Sequence, residues 1–440
     1  MKYLASLAVA SFALLLAGCA TPPPASPPPQ ATSCPAAVPA GTRCLSGQDA
    51  AGAFYLVAMP PHWNGTLVLH AHGGPNLGVP TLARTMEDLQ RWAVVVKAGY
   101  AWAGSSFRQG GVAVHSAAED TERLRRIFVK QVAQPKLTIL HGQSWGASVA
   151  AVAASMFTDD AGRRPYDAVL LTSGVLAGGT RAYDFRLDLR VIYQSLCANH
   201  PRAHEPQYPL AIGLPPGNKL TNAELRDRAN ECLALDKPAA QRTPDQQRKV
   251  QTIADVLKIP AGSILSHLAW GTFHFQDVAQ RNGGRSPFGN AAARYAGSPD
   301  DAVLNASVAR YAADPQAVAA FGADTDPDGR IPVPVLTVHG MGDPTAFVEM
   351  QDTFRRTMEK AGTASHLVQT FTSHDTHSYL DDAVYPTLLS ALADWARGGA
   401  KPTPEQIAAQ CGRAAPALGN NCRFRPDFQP QPLASRVTPR

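Results

Sequence analysis

The chain has no run of lysine and arginine and no stripe of basic residues interleaved with aromatics. Its formal charge of +5 is spread over 440 residues, so nucleic acid is not an expected partner. It has no C-x-x-C and no clustered His/Cys spacing, which argues against a metal site. It shows no internal repeat. The apolar run over residues 4–16 is too short to span a bilayer and follows a single lysine, Lys2, as in a secretory leader. What remains is long enough for one large core with an insertion.

The leader ends Leu16-Ala17-Gly18-Cys19, which resembles the bacterial lipoprotein box. That resemblance implies lipidation of Cys19 and an envelope location. With Ala20 rather than Asp following, it implies anchoring at the outer membrane of a Gram-negative host. Residues 1–18 are then the signal peptide. Residues 19–45 are the lipidated cysteine and a tether dense in Pro, Ala and Ser, extended and semi-rigid. Six further cysteines are present: Cys34, Cys44, Cys197, Cys232, Cys411 and Cys422. An even count in an exported chain points to disulfides, and six cysteines allow fifteen pairings. Proximity along the chain favours 34–44, 197–232 and 411–422, each closing a short loop.

From residue 46 onward, short apolar runs alternate with amphipathic stretches. Strands are expected over 66–70, 100–105, 137–140, 167–172, 334–338 and 365–371, and helices over 87–98, 117–132, 346–360 and 379–397. This alternation predicts an α/β fold with a mostly parallel central sheet flanked by helices. Residues 178–328 break the rhythm and read as an inserted helical lid between two parts of the core, 46–177 and 329–400. Residues 401–440 form a C-terminal extension. In the lid, Trp270, Phe273, His274 and Phe275 either line a pocket or form the lid's own core, the second being the default for large aromatics. Arg181, Arg186 and Arg190 are expected to be solvated lid charges rather than ligands for a carboxylate. The acidic segment 324–329 starts like a calcium loop, but Pro327 interrupts it and no Glu closes it, so it reads as a polar linker.

Chemistry concentrates at Gly142-Gln143-Ser144-Trp145-Gly146. An apolar strand precedes this G-x-S-x-G and a helical Ala/Val stretch follows, the context of a nucleophile elbow. A serine hydroxyl is a weak nucleophile unless a base holds it. Asp343 follows the strand over 334–338, and His374 and His377 follow the last strand, so the order along the chain is Ser, Asp, His. His374 comes first after its strand and is the expected base; His377 is the alternative. Asp375 and Asp381 are weaker choices for the acid than Asp343. The backbone N–H of Trp145 is one expected oxyanion donor. The second should come from His72-Gly73-Gly74-Pro75, with Gly74 preferred because Pro75 has no N–H. His72 is expected to buttress this loop.

With these motifs in place, the chain resembles the α/β-hydrolase superfamily over roughly residues 52–397, apart from the lid. His72-Gly73-Gly74-Pro75 together with the elbow resembles proline iminopeptidases. Asn76 and the segment Ser105-Ser106-Phe107-Arg108 depart from that pattern. The segment 392–402, with Cys411 beyond it, instead resembles secreted esterases. The resemblance implies a serine hydrolase that cleaves carboxylic esters through an acyl-enzyme, without metal or organic cofactor. The alternatives are an exopeptidase that cleaves amides and recognises a free amine through an acidic lid residue (Glu224, Glu231 or Asp277), and a non-catalytic surface binding protein. The expected partners are a small ester or peptide substrate and, through the lipid anchor, a membrane.

Overall fold

The computed structural model describes residues 26–157, 163–418 and 422–439. The leader and Cys19 lie outside them. Nine strands form one sheet: β1 (Gln30–Thr32), β2 (Arg43–Gln48), β3 (Phe54–Met59), β4 (Thr66–Ala71), β5 (Ala101–Ser105), β6 (Leu137–Gln143), β7 (Ala168–Thr172), β8 (Val335–Gly340) and β9 (Leu367–Thr372). Their spatial order is β1-β2-β3-β5-β4-β6-β7-β8-β9. The first three pair antiparallel with one another and β3 pairs antiparallel with β5; from β5 to β9 every pairing is parallel. This topology, with helices on both faces and a helical insertion between β7 and β8, is an α/β-hydrolase fold.

The strands β4 to β8 are buried along their whole length, and β9 is buried except at Gln369. Their sequences are therefore mostly apolar without strict alternation, as a sheet covered on both sides requires, and the polar residues within them, such as His70, His141 and His339, are buried too. One face packs against the helices Val114–Gln131 and Trp145–Met156, the other against Ala93–Lys97 and Val384–Ala396. The expected strands all form, within a few residues of the expected ends. The antiparallel strands β1 to β3 are additions. Because β1 pairs with β2, the expected tether over 19–45 gives way by Gln30 to an edge strand. The Cys34–Cys44 disulfide pins that segment to the sheet.

Between β7 and β8 the insertion builds a helical unit with its own apolar cluster. Its longest helix, Ile264–Arg281, packs against Phe185–Cys197. The helices Asn222–Leu233 and Pro244–Leu257 each begin with a capping box, from Thr221 with Glu224 and from Thr243 with Gln246. Cys197–Cys232 closes a loop inside this unit, and Cys411–Cys422 closes one in the C-terminal extension, so all three proximity pairings are present. The extension does not trail away. Its helix Pro404–Leu418 covers the sheet, and Val437 enters the core of the insertion. No helix among the described residues is long and apolar enough to cross a membrane.

The acidic segment is engaged within the fold. Asp324 accepts the N–H groups of Val114 and His115, Asp326 accepts that of Thr180, and Asp328 accepts the hydroxyl of Ser155. These bonds hold the returning linker against the N-termini of two helices and the end of a third.

Several histidines are buried and held neutral. Burial lowers His141 and His72 to about 3, His200 to about 2 and His274 to about 4, against an ordinary value of 6.5. His141 also shares one proton with His70, Nδ1 to Nδ1, at 3.0 Å. The unfolded chain takes up protons at these positions as pH falls through 6.5, and the folded chain does not. The stabilisation is therefore complete above about pH 6.5 and is lost progressively towards pH 3, by about 1.4 kcal/mol per pH unit per histidine. Urea midpoints measured from pH 7.5 down to pH 4 should fall steadily. A midpoint constant across that window would contradict this reading.

Candidate active site

Ser144 ends β6 and starts the helix Trp145–Met156, with φ 55° and ψ −121°. A non-glycine residue at such angles stores roughly 1–3 kcal/mol of strain and needs surroundings that enforce it. The two glycines of the motif allow the turn. A Cβ on Gly142 would run into the carbonyl of Gly146, and one on Gly146 would run into the carbonyls of Ala71 and His72. The helix can therefore approach β4 only if both side chains are absent. Ser144 N–H donates to the Thr172 carbonyl, and Val175 N–H donates to the Ser144 carbonyl, which fixes the turn to β7.

Ser144 Oγ lies 2.7 Å from His377 Nε2, and His377 Nδ1 lies 2.7 Å from Asp343 Oδ2. Asp343 is buried in the loop after β8, and its other oxygen accepts the N–H groups of Thr345 and Ala346 at 2.8 and 3.0 Å. His339 adds a contact at 3.4 Å. Burial pushes the Asp343 carboxyl up; the His377 charge and the hydrogen bonds from His339 and His377 outweigh that and hold it well below the usual carboxylate range. An ionised Asp343 accepts the Nδ1 proton of His377. That leaves Nε2 as an acceptor facing the serine hydroxyl.

His374, the expected base, is not in this line. Its Nδ1 meets Thr372 Oγ1 and its Nε2 meets Asp381 Oδ2, both at 2.9 Å, so it ties the end of β9 to the helix that follows. The reason is distance. β9 lies three strands from β6. At roughly 4.8 Å per strand this is about 14 Å, more than a side chain directly after the strand can reach. The loop must fold back over the sheet edge before it presents an imidazole, and residue 377 is where it does so. His374 still matters there, since its carbonyl accepts Gly342 N–H beside Asp343. Asp381 is the partner of His374, and Asp343 is the acid beside His377.

The backbone N–H groups of Trp145 and Gly74 donate to no acceptor among the described residues, and both residues line the cleft with Ser144. The Trp145 N–H is one of the free donors at a helix N-terminus. The loop carrying Gly74 is held by Arg84, whose guanidinium donates to the Gly73 carbonyl at 2.7 Å. His72 stacks on Phe107 at 4.3 Å and bonds the same carbonyl, the buttressing role expected of it. Gln143 donates to Ser378 Oγ at 2.9 Å and so ties the elbow to the His377 loop. Arg84, Gln143 and His339 carry no motif that would single them out in the sequence.

The insertion forms the roof. On Ile264–Arg281, His267 and His274 lie seven residues apart on one face. His267 Nε2 meets the Pro344 carbonyl and His274 Nε2 meets the Pro75 carbonyl, each at 2.8 Å. One helix thus clamps the Asp343 loop and the Gly74 loop together. Trp270, one turn before His274 and stacked on it at 4.7 Å, lines the cleft. Phe275 turns inward and stacks on Phe288 in the core of the insertion, and Phe273 packs against that core. Among the three arginines expected in solvent, only Arg181 is exposed; Arg186 and Arg190 are buried.

Such an arrangement can remove the proton from the Ser144 hydroxyl, direct the oxygen at an electrophilic carbon, and offer two N–H groups to a developing oxyanion. No family model matches the sequence, and no curated protein does. Among solved structures, the chain is similar to an esterase from Aspergillus oryzae, at 12% identity over 82% of this chain and 81% of that chain, with a TM-score of 0.40. It is similar to feruloyl esterase B from Aspergillus oryzae at 14% identity, over 86% of each chain, with a TM-score of 0.40. It is also similar to a membrane phospholipase A described as a bacterial virulence factor, at 13% identity, over 82% of this chain and 88% of that chain, with a TM-score of 0.40.

The two histidines separate in a labelling experiment. A fluorophosphonate probe should modify Ser144 in the parent chain and in His374→Gln, and should react at least ~10²-fold more slowly in His377→Gln. The reverse pattern would return the base to His374.

Proposed function

We propose that the protein is a serine hydrolase that cleaves carboxylic esters through an acyl-enzyme on Ser144. The observation that carries this reading is the continuous line from Ser144 Oγ through His377 to the buried Asp343, at 2.7 Å in each step. Ser144 Oγ attacks the carbonyl carbon while His377 Nε2 takes its proton. The carbonyl oxygen becomes an oxyanion held by the N–H groups of Trp145 and Gly74. His377 passes the proton to the departing alkoxide, which leaves as the alcohol, and the acyl group stays on Ser144. Water then attacks, gives its proton to His377, and the acid is released as the serine regains its hydrogen. Asp343 holds the imidazole tautomer throughout and stabilises the imidazolium.

The amide-cleaving alternative needs a carboxylate to recognise a free amine. The described residues lining the cleft include no Asp or Glu. Glu224 caps a helix, Glu231 pairs with Arg202, and Asp277 pairs with Arg281. The ester reading is therefore favoured. A binding protein would have no use for a strained, base-paired serine. The location that fits is the cell envelope, with Cys19 as a lipid anchor at the outer membrane. The leader pattern supports this, as do three disulfides, which belong to an oxidising compartment.

The purified soluble domain should turn over p-nitrophenyl esters and lose at least ~10³-fold in kcat in Ser144→Ala. Aminoacyl-naphthylamides should react far more slowly than the esters. Turnover of the amides alone would favour the exopeptidase, and ester turnover that survives in Ser144→Ala would place the chemistry elsewhere.

A further inference from the structure

Arg186 sits on the helix Phe185–Cys197 and is 4% exposed, yet it pairs with no carboxylate among the described residues. Its guanidinium lies 4.5 Å from the ring centroids of Phe185 and Trp270 and 5.3 Å from that of Tyr183. Among the described residues its one hydrogen bond is from Nη1 to the Ala182 carbonyl, at 3.2 Å, and Nε has no partner there. Burial lowers it to about 9, so it remains a cation at neutral pH. An unpaired buried charge is costly, and a fold keeps one where something else completes it. The neighbour Arg190 shows the contrast. It is equally buried, also pairs with no carboxylate among the described residues, and its Nε is likewise without a partner, but it donates to the Leu210 carbonyl, meets His200 within the insertion and does not line the cleft.

Arg186 lines the same cleft, of about 280 Å³, as Ser144 and His377. Arg84 and Arg91 line it too, without an acidic residue among the described lining. Three aromatic rings surround the guanidinium, and its Nε–H has no partner among the described residues. A planar fork of that kind matches a carboxylate, which accepts two parallel N–H bonds. We propose that the cleft takes an ester whose acyl or alcohol part carries a second, free carboxylate, and that Arg186 binds that carboxylate. This deepens the hydrolase reading and rests on it.

The test compares p-nitrophenyl monoesters of succinic, glutaric and adipic acid with neutral p-nitrophenyl esters of the same carbon number. In the parent chain at least one acid should exceed its neutral partner in kcat/KM by roughly 10- to 100-fold, the range of one charged hydrogen-bonded contact. In Arg186→Met that ratio should collapse towards one, with Arg186→Lys between. Arg181→Met, at an exposed neighbour, should leave the ratio as it is. A ratio near one in the parent chain for all three acids, or one unchanged in Arg186→Met, overturns the carboxylate pocket and leaves the hydrolase reading standing. Calorimetric binding of glutarate to Ser144→Ala, weakened when Arg186→Met is added, supports the pocket without any turnover. A chain that binds glutarate in this way yet hydrolyses no ester would sink the hydrolase reading alone.

Discussion

The bond between the buried Asp343 carboxylate and His377 is the contact on which the remaining arrangement depends. Asp343 gives up water for two backbone N–H groups and one imidazole N–H. The charge on His377 and the hydrogen bonds from His377 and His339 keep it ionised where burial would otherwise favour the neutral acid. Only an ionised Asp343 fixes the proton of His377 on Nδ1 and frees Nε2 for Ser144. Were Asp343 neutral, the imidazole could turn, and the strain held at Ser144 would serve no purpose.

Three loops at the same sheet edge must be in register for this bond and its neighbours to form. Each is held by a contact from another element. Arg84 holds the Gly74 loop, Gln143 ties the elbow to Ser378, and Gly342 bonds the His374 carbonyl. The helix Ile264–Arg281 then joins the Asp343 loop and the Gly74 loop through His267 and His274. The insertion is therefore part of the framework of the site as well as its cover. Its core reaches the sheet domain through Phe185 and Phe347, and Arg436 of the C-terminal extension lies over the same Phe347 ring.

Much of this was legible in the sequence, for physical reasons. Parallel strands buried on both faces are mostly apolar, and β4 to β8 carry short apolar runs that stand out in the sequence. The G-x-S-x-G motif is legible because Gly142 and Gly146 admit no side chain. The three disulfides follow from proximity. What was not legible depends on the path of the chain in space. His374 and His377 differ by three residues, and only the strand order shows that the earlier one stops short. Arg181, Arg186 and Arg190 look alike in sequence; burial separates them, and it is decided by which helix face meets Phe185, Tyr183 and Trp270.

The central claim is that Ser144, His377 and two backbone N–H groups surround one reacting carbon. The most direct test is a crystal structure of the protein after reaction with a phosphonate that mimics the tetrahedral intermediate. The account predicts phosphorus bonded to Ser144 Oγ and one phosphonyl oxygen at about 2.7–3.1 Å from both the Trp145 and Gly74 nitrogens, with His377 Nε2 facing the leaving-group side. A phosphonyl oxygen turned away from those two nitrogens, or an adduct on any other side chain, would contradict it.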